Sequence, residues 1–175
     1  MGMLIPAWPL ETERLRLRPF ELDDLDVLHE IYSDAGVVRY LYEERRSRDE
    51  LVPVLERKRA KTGLTTEGDG LSAAVTLRET GQVVGDVSLF WLSERHRQVE
   101  LGFVMHPAWH GRGYATEAAR PFLAFAFETL GAHRVIGRTE ARNLGSARVL
   151  EKLGMRREAH LVENEWVKDE WQSEL

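Results

Sequence analysis

Leu15 and Leu17 alternate with Arg14, Arg16 and Arg18 and stop before Pro19, the period of a half-buried strand. From Asp23 the period changes. Leu25, Leu28, His29 and Tyr32 recur at helical spacing, with Asp23 or Asp24 as the cap. Leu51, Val54, Leu55 and Lys58 place a second helix over Asp49 to Lys61, and Thr62–Gly70 reads as loop. Leu71–Leu77 and Val83–Leu92 are strand runs joined by the hairpin signal Glu79-Thr80-Gly81-Gln82. A polar turn over Ser93–Arg97 leads into a third run, Gln98–Met105, so the three form an antiparallel meander.

A helix from about Gly113 carries Ala115, Ala118, Ala119, Phe122, Leu123, Ala126 and Leu130 on one stripe. Pro121 removes a donor inside it and predicts a local kink, and Gly131 ends it. A strand over Arg134–Thr139 follows, then a helix opened by Asn143 and closed at Leu153 with Gly154 as its C′ residue. Met155–Glu165 and Trp166–Trp171 are the last two strand candidates. This order has no repeated βαβ unit and predicts a mixed α/β, α+β-like sheet in one domain, 1–175.

The 175 residues suffice for one full hydrophobic core, and 43% apolar with 30% charged residues is ordinary for a globular protein. A net charge of −5 argues against general nucleic-acid binding. Pro6 and Pro9 break the short apolar opening, no later run approaches a membrane span, and the cytoplasm is the expected compartment. The chain has no cysteine, which removes thiolate chemistry of any kind. The five tryptophans are expected in the core and in pocket linings.

Gly111-Arg112-Gly113 lies between the strand Gln98–Met105 and the next helix, so its turn presents free N–H groups to an anion, usually a phosphate. Arg112 adds charge there. A tight turn that needs two glycines is the bland alternative. The third position of a dinucleotide fingerprint is Thr116, and the Gly-Lys-Ser/Thr ending of a Walker loop is absent. Asn143-Leu144-Gly145-Ser146 is a helix cap by its plainest reading, yet it stands one strand later and places a second helix start by the same sheet end. Glu100 interrupts an apolar strand, where burial would raise its pKa toward that of a useful base; exposure on the strand's other face is the alternative. His106 and His110 flank Pro107 without a carboxylate partner, so no metal is expected.

Four stretches in order, Thr12–Pro19, Val99–Val104, His110–Ala115 and Asn143–Gly154, resemble the GNAT superfamily of N-acetyltransferases, specifically the RimJ/RimL type. The resemblance implies a GNAT fold: a twisted, mostly antiparallel sheet of about six to seven strands, flanked by about four helices. The sheet is split between the fourth and fifth strands, here Gln98–Met105 and Arg134–Thr139. It implies acetyl-CoA in that opening, with the amides of Arg112, Gly113, Tyr114 and Ala115, together with Thr116, on its pyrophosphate. His110 and Gly111 head that loop. Phe103, Val104 and Met105 would pair with the pantetheine arm, Asn143 would hydrogen-bond it, and Ser146 would sit near the sulfur. His110 departs from the usual Gln or Arg; Asp169 and Ser173 stand where Gly and Asp are commoner. Relatives run on past the position of Leu175, so the last strand is expected to be truncated.

The implied reaction transfers acetyl directly to a primary amine, through a tetrahedral intermediate, with a protein N-terminal α-amine as the leading acceptor. Such an amine, with pKa about 7.7–8.0, is roughly a tenth or more neutral at pH 7 and asks little of a base. Glu100, or Glu165 by its alignment with the RimL carboxylate, would end a water chain. Ser146 would donate to the departing sulfur, and holding both reactants is worth up to ~7–11 kcal/mol. Alternatives are a small amine (aminoglycoside, polyamine or amino-acid derivative) and a non-catalytic acyl-CoA-binding protein. A homodimer is a family-level expectation.

Overall fold

Leu10–Glu11 (β1) and Leu15–Arg18 (β2) open a six-stranded sheet in the computed structural model, which describes residues 2–175. Gly70–Leu77 (β3), Val83–Ser93 (β4), Gln98–Met105 (β5) and Arg134–Ile136 (β6) follow in spatial as in sequence order. Every neighbouring pair is antiparallel except β5 with β6, which are parallel. The alternation read from β2 holds: Leu15 and Leu17 are fully buried while Arg16 points to solvent.

Helices cover the two faces. On one face Val87, Leu89 and Trp91 of β4 pack with Val99 and Leu101 of β5 beneath Ala118, Ala119 and Phe122 of α4, which spans Tyr114–Ala124. On the other, Ala74 contacts a cluster built from α1 (Leu25–Ser33) and α3 (Arg48–Ala60), including Leu28, Ile31, Leu51 and Leu55. Ala73 and Val75 belong to the first cluster and Ala74 to the second, as alternating strand faces require. The short α2 (Ala35–Val38) follows α1, and α5 (Leu144–Lys152) follows β6.

Lys58 recurs on the apolar side of α3 because it reaches a buried acid. Its Nζ lies 3.1 Å from Asp86 on β4, and the Tyr32 hydroxyl donates to the same carboxylate at 3.3 Å. Burial, followed by the neighbouring Asp86 charge, pushes the Tyr32 hydroxyl well above its ordinary range.

Several expectations are corrected. The helix runs through Pro121, and the departure from α geometry comes later, as a π-helical turn over Phe125–Thr129 before Gly131 at φ 70°. Asp24 does not cap α1 through its side chain. It takes Arg18 at 2.8 Å and the Glu21 N–H at 2.8 Å, beneath a 3₁₀ turn that precedes the helix. The strand expected over Arg134–Thr139 is regular only to Ile136. The last two strands fall at Leu161–Val167 (β7) and Glu170–Glu174 (β8), a separate hairpin. Its turn, Lys168-Asp169, has φ of 53° and 59° without a glycine, so the usual sequence signal is missing. Trp91 lies in the core, and Trp8 and Trp109 pack against it. Trp166 and Trp171, by contrast, are each 57% exposed and stack edge-to-face on the hairpin.

Candidate active site

β5 and β6 pair only from Gln98–Glu100 to Arg134–Ile136. Past Glu100 the two parallel strands separate, and the edge of Gly102–Met105 that faces away from β4 gains no strand neighbour. The chain leaves β5 through a 3₁₀ turn over Pro107–Trp109, whose start is capped by His106 accepting from the Ala108 N–H. It then enters α4 through Gly111 and Gly113, with φ of 74° and 80°. Both are left-handed conformations that glycine adopts without a steric penalty. Gly113 caps α4 with no side chain, so the first-turn amides of Tyr114, Ala115 and Thr116 remain free at the positive end of the helix dipole.

The second helix start meets the first across the split. Asn143 Oδ1 accepts from the Ser146 N–H at 3.1 Å, which caps α5. That bond uses the oxygen of the Asn143 amide and leaves its NH₂ as a donor. The Ser146 hydroxyl has no hydrogen-bond partner among the described residues. A cleft of about 520 Å³ joins these parts. Phe103, Val104 and Met105 line it from the strand, His110, Gly111, Gly113, Tyr114, Ala115 and Thr116 from the loop and helix, and Asn143 and Ser146 from α5. Asp34, Val37, Tyr40 and Leu41 form the facing wall.

Two loop residues behave differently from expectation. The Arg112 side chain turns away and lies over the Trp109 ring at 4.7 Å, so its charge does not enter the cleft. His110, the departure from the family pattern, donates from Nε2 to the Met105 carbonyl at 2.8 Å. A carbonyl can only accept, which fixes the proton on Nε2. The residue therefore fastens the loop to the end of β5.

The residues that brace this loop from below escape a local reading. Glu117, in the first turn of α4, accepts from the Thr12 hydroxyl (2.6 Å), the Arg14 N–H (2.8 Å) and Arg14 Nε (2.7 Å). Arg14 Nη1 donates to the Arg112 carbonyl at 3.1 Å, and its guanidinium lies 4.6 Å from the Tyr114 ring centre. Burial alone would push Glu117 up, but the bonds from Thr12 and Arg14 outweigh it and hold the carboxyl below its ordinary range. The signal was the Thr12-Glu13-Arg14 run, whose polar positions looked like the solvent side of a strand.

Neither carboxylate expected to take a proton lines the cleft. Glu100 is mostly buried, but Arg138 grips both its oxygens at 3.1–3.2 Å, and that bond holds the Arg138 guanidinium above its usual range. The unpaired apolar setting expected for Glu100 is thus replaced by a two-point ion pair. Glu165 lies on β7 opposite Gln172. Near it, Tyr42 donates to Glu174 Oε1 at 2.5 Å, and burial followed by this bond raises the phenol above its ordinary range. Lys168 in the hairpin turn donates to the carbonyls of Val38 and Leu41. Tyr42, Arg138, Lys168 and Glu174 had no motif to mark them.

A split sheet with two helix starts facing across it has close relatives in sequence and in structure. The acetyltransferase (GNAT) domain model matches residues 14–156. The chain belongs to the GNAT acetyltransferase family. It is similar to the uncharacterised N-acetyltransferase YnaD of Bacillus subtilis, 29% identical over 163 residues that cover 90% of this chain and 91% of the relative. It is also similar to spermidine N(1)-acetyltransferase of Escherichia coli, 24% identical over 161 residues, with 92% and 83% covered. A GNAT-family acetyltransferase from Bacillus anthracis superposes with TM-score 0.84 at 29% identity, covering 95% of this chain and 94% of its own. The protein is accordingly an acyltransferase that takes acetyl-CoA as donor.

Proposed function

We propose that the chain forms one N-acetyltransferase unit over 1–175 and transfers acetyl to a primary amine within the β5/β6 split, with a protein N-terminal α-amine of the RimJ/RimL type as the leading acceptor. The observation that carries the reading is the convergence, in one cleft, of an unpaired strand edge, free first-turn amides and the unpartnered Ser146 hydroxyl. These residues fit acetyl-CoA: the amides of Gly113–Thr116 suit a pyrophosphate, the edge over Phe103–Met105 suits an amide-bearing arm, and the Asn143 NH₂ suits a carbonyl. When bound, acetyl-CoA supplies an activated acyl group on a thiol leaving group.

The protein's own contribution is position and charge. β5 and the glycine turn fix the donor's direction, and Ser146 offers a hydroxyl proton from a capped, rigid helix start. Glu100, held by Arg138 at the closed end of the split, is the end of the water chain that takes the displaced ammonium proton. An α-amine suits this arrangement because about a tenth or more is already neutral at pH 7.

A small polyamine acceptor is the second reading, favoured by the similarity to spermidine N(1)-acetyltransferase. Release of free thiol from acetyl-CoA across a panel of peptides and amines tests both. Turnover with N-terminal peptides supports the first reading, turnover confined to polyamines the second, and no turnover with any amine overturns the proposal.

A further inference from the structure

Val87, Leu89 and Leu101 face α4, whereas Ala74 and Val104 face α1 and α3, so Ser72, Ser88 and Gly102 share that second face. The three stand directly opposite one another across β3, β4 and β5. Ser72 is 3% exposed, and its hydroxyl is buried without a hydrogen-bond partner among the described residues. Ser88 is 9% exposed, and its hydroxyl also makes no hydrogen bond among the described residues. Gly102 clears the space beside it, because a Cβ there would stand 2.8 Å from Ser88 Oγ. The Phe90 ring leans across the row, 3.9 Å from the same point. Buried hydroxyls are rarely left orphaned, and two on neighbouring strands beside a glycine make a polar seat for water. The row ends at the closed end of the split, since β5 pairs with β6 only as far as Glu100. Glu100 stands opposite Phe90, which makes it the diagonal neighbour of Ser88 on the same face. Such a pair has Cβ atoms about 7–8 Å apart, a gap that water bridges.

We infer that Ser88 is a positioning residue for the transfer: its hydroxyl, backed by Ser72, holds the water that takes one proton from the acceptor's ammonium and hands one on to the Glu100 carboxylate. The inference rests on the amine-acetylating reading above. The ammonium becomes the neutral amine that attacks the acetyl carbonyl, the water is restored, and Glu100 stays protonated until it releases the proton to solvent. A hydroxyl suits the place because it both donates and accepts, and so holds the water before and after the proton moves. The charged groups around the row are Glu100 with Arg138, Asp86 with Lys58, and Lys61, which lies 5.2 Å from the Phe90 ring centre. Asp86, on the other side of Ser88, is fully enclosed behind Lys58 and the Tyr32 hydroxyl. The Glu100 side chain keeps 17% exposure, which gives the proton an outlet.

Thiol release from acetyl-CoA by the full chain, measured against pH, tests the assignment. The acceptor is a short peptide with a free α-amine, or spermidine where only polyamines turn over. S88A is expected to lower kcat about tenfold and to move the rise of rate with pH upward, toward the free amine's own pKa. Acetyl-CoA affinity and the thermal midpoint stay unchanged. E100Q moves the rise in the same direction, and S88A/E100Q falls little below E100Q alone, because one path is broken only once. An S88A enzyme with the unsubstituted profile overturns the inference, as does a fall in rate without a move in pH. Losses that multiply in the double variant, or an E100Q profile that stays in place, overturn it as well. In each of these cases the amine still turns over and the acetyl-transfer reading stands. Absence of thiol release with every amine overturns that reading instead.

Discussion

The wall made by the end of β5, the glycine turn and the start of α5 takes its backbone angles and caps from residues a few places away, with Thr12 and Arg14 bracing it from behind, whereas the facing wall, Asp34–Leu41, is held by side chains from the far end of the chain. In the first, Gly111, Gly113 and Asn143 set backbone angles and caps within a few residues of where they act. In the second, Lys168 reaches the carbonyls of Val38 and Leu41, and Tyr42 reaches Glu174, across more than 120 residues. A wall set by glycine angles and caps carries its geometry within itself, and a wall held by distant polar contacts depends on the hairpin that supplies them.

The largest expected effect breaks the first wall alone. Replacing Gly113 with tryptophan forces a side chain into φ 80°, costs of order 1–3 kcal/mol in backbone strain and fills the turn. Calorimetry should then detect no acetyl-CoA binding, and normal affinity would remove the turn from the site. Behind the second wall, Lys58→Ala strands the buried Asp86 carboxylate and should cost about 3–5 kcal/mol in denaturant unfolding. A loss under 1 kcal/mol would show that Asp86 reaches solvent.

Smaller effects sharpen the contrast. Ser146→Ala should lower turnover roughly tenfold and leave the acetyl-CoA dissociation constant unchanged, about 1.4 kcal/mol in the transition state alone. Equal turnover would take Ser146 out of the reaction. Tyr42→Phe removes one hydrogen bond, worth about 1 kcal/mol, and should change the acceptor KM but not acetyl-CoA affinity. A change in the donor's affinity instead would join the two walls into one. Glu117 adds a pH dependence. Its folded pKa lies below its ordinary value, so its stabilisation is fully present above the unfolded pKa near 4.3–4.5 and is lost as pH falls through the folded value. Thermal unfolding should therefore show Glu117→Gln less stable than the unsubstituted protein at pH 7, with the gap closing as pH falls below the ordinary carboxylate value.

Sequence legibility follows the same division. The meander, the strand Gln98–Met105 and the α5 caps were readable because period, glycine position and Asn-x-x-Ser spacing act over a few residues. The hairpin turn was misplaced because Lys168 and Asp169 take positive φ where glycine is the usual marker. The setting of Glu100 was misjudged because Arg138 is 38 residues away and reaches it only once β6 pairs with β5. Periodicity has no access to such partners.

The Thr12 and Arg14 bonds to Glu117 span more than a hundred residues, from the edge of the sheet to the turn that faces the donor's phosphates. Closing a loop of that length carries a chain-entropy cost that the docked contacts must offset. A nucleotide that needs this turn in place would bind only molecules whose first strand has docked. Saturating coenzyme A at a hundredfold over its dissociation constant would then add about 2.7 kcal/mol to that finished state alone. In a cell, the supply of donor would set how long a newly made chain stays within reach of proteases.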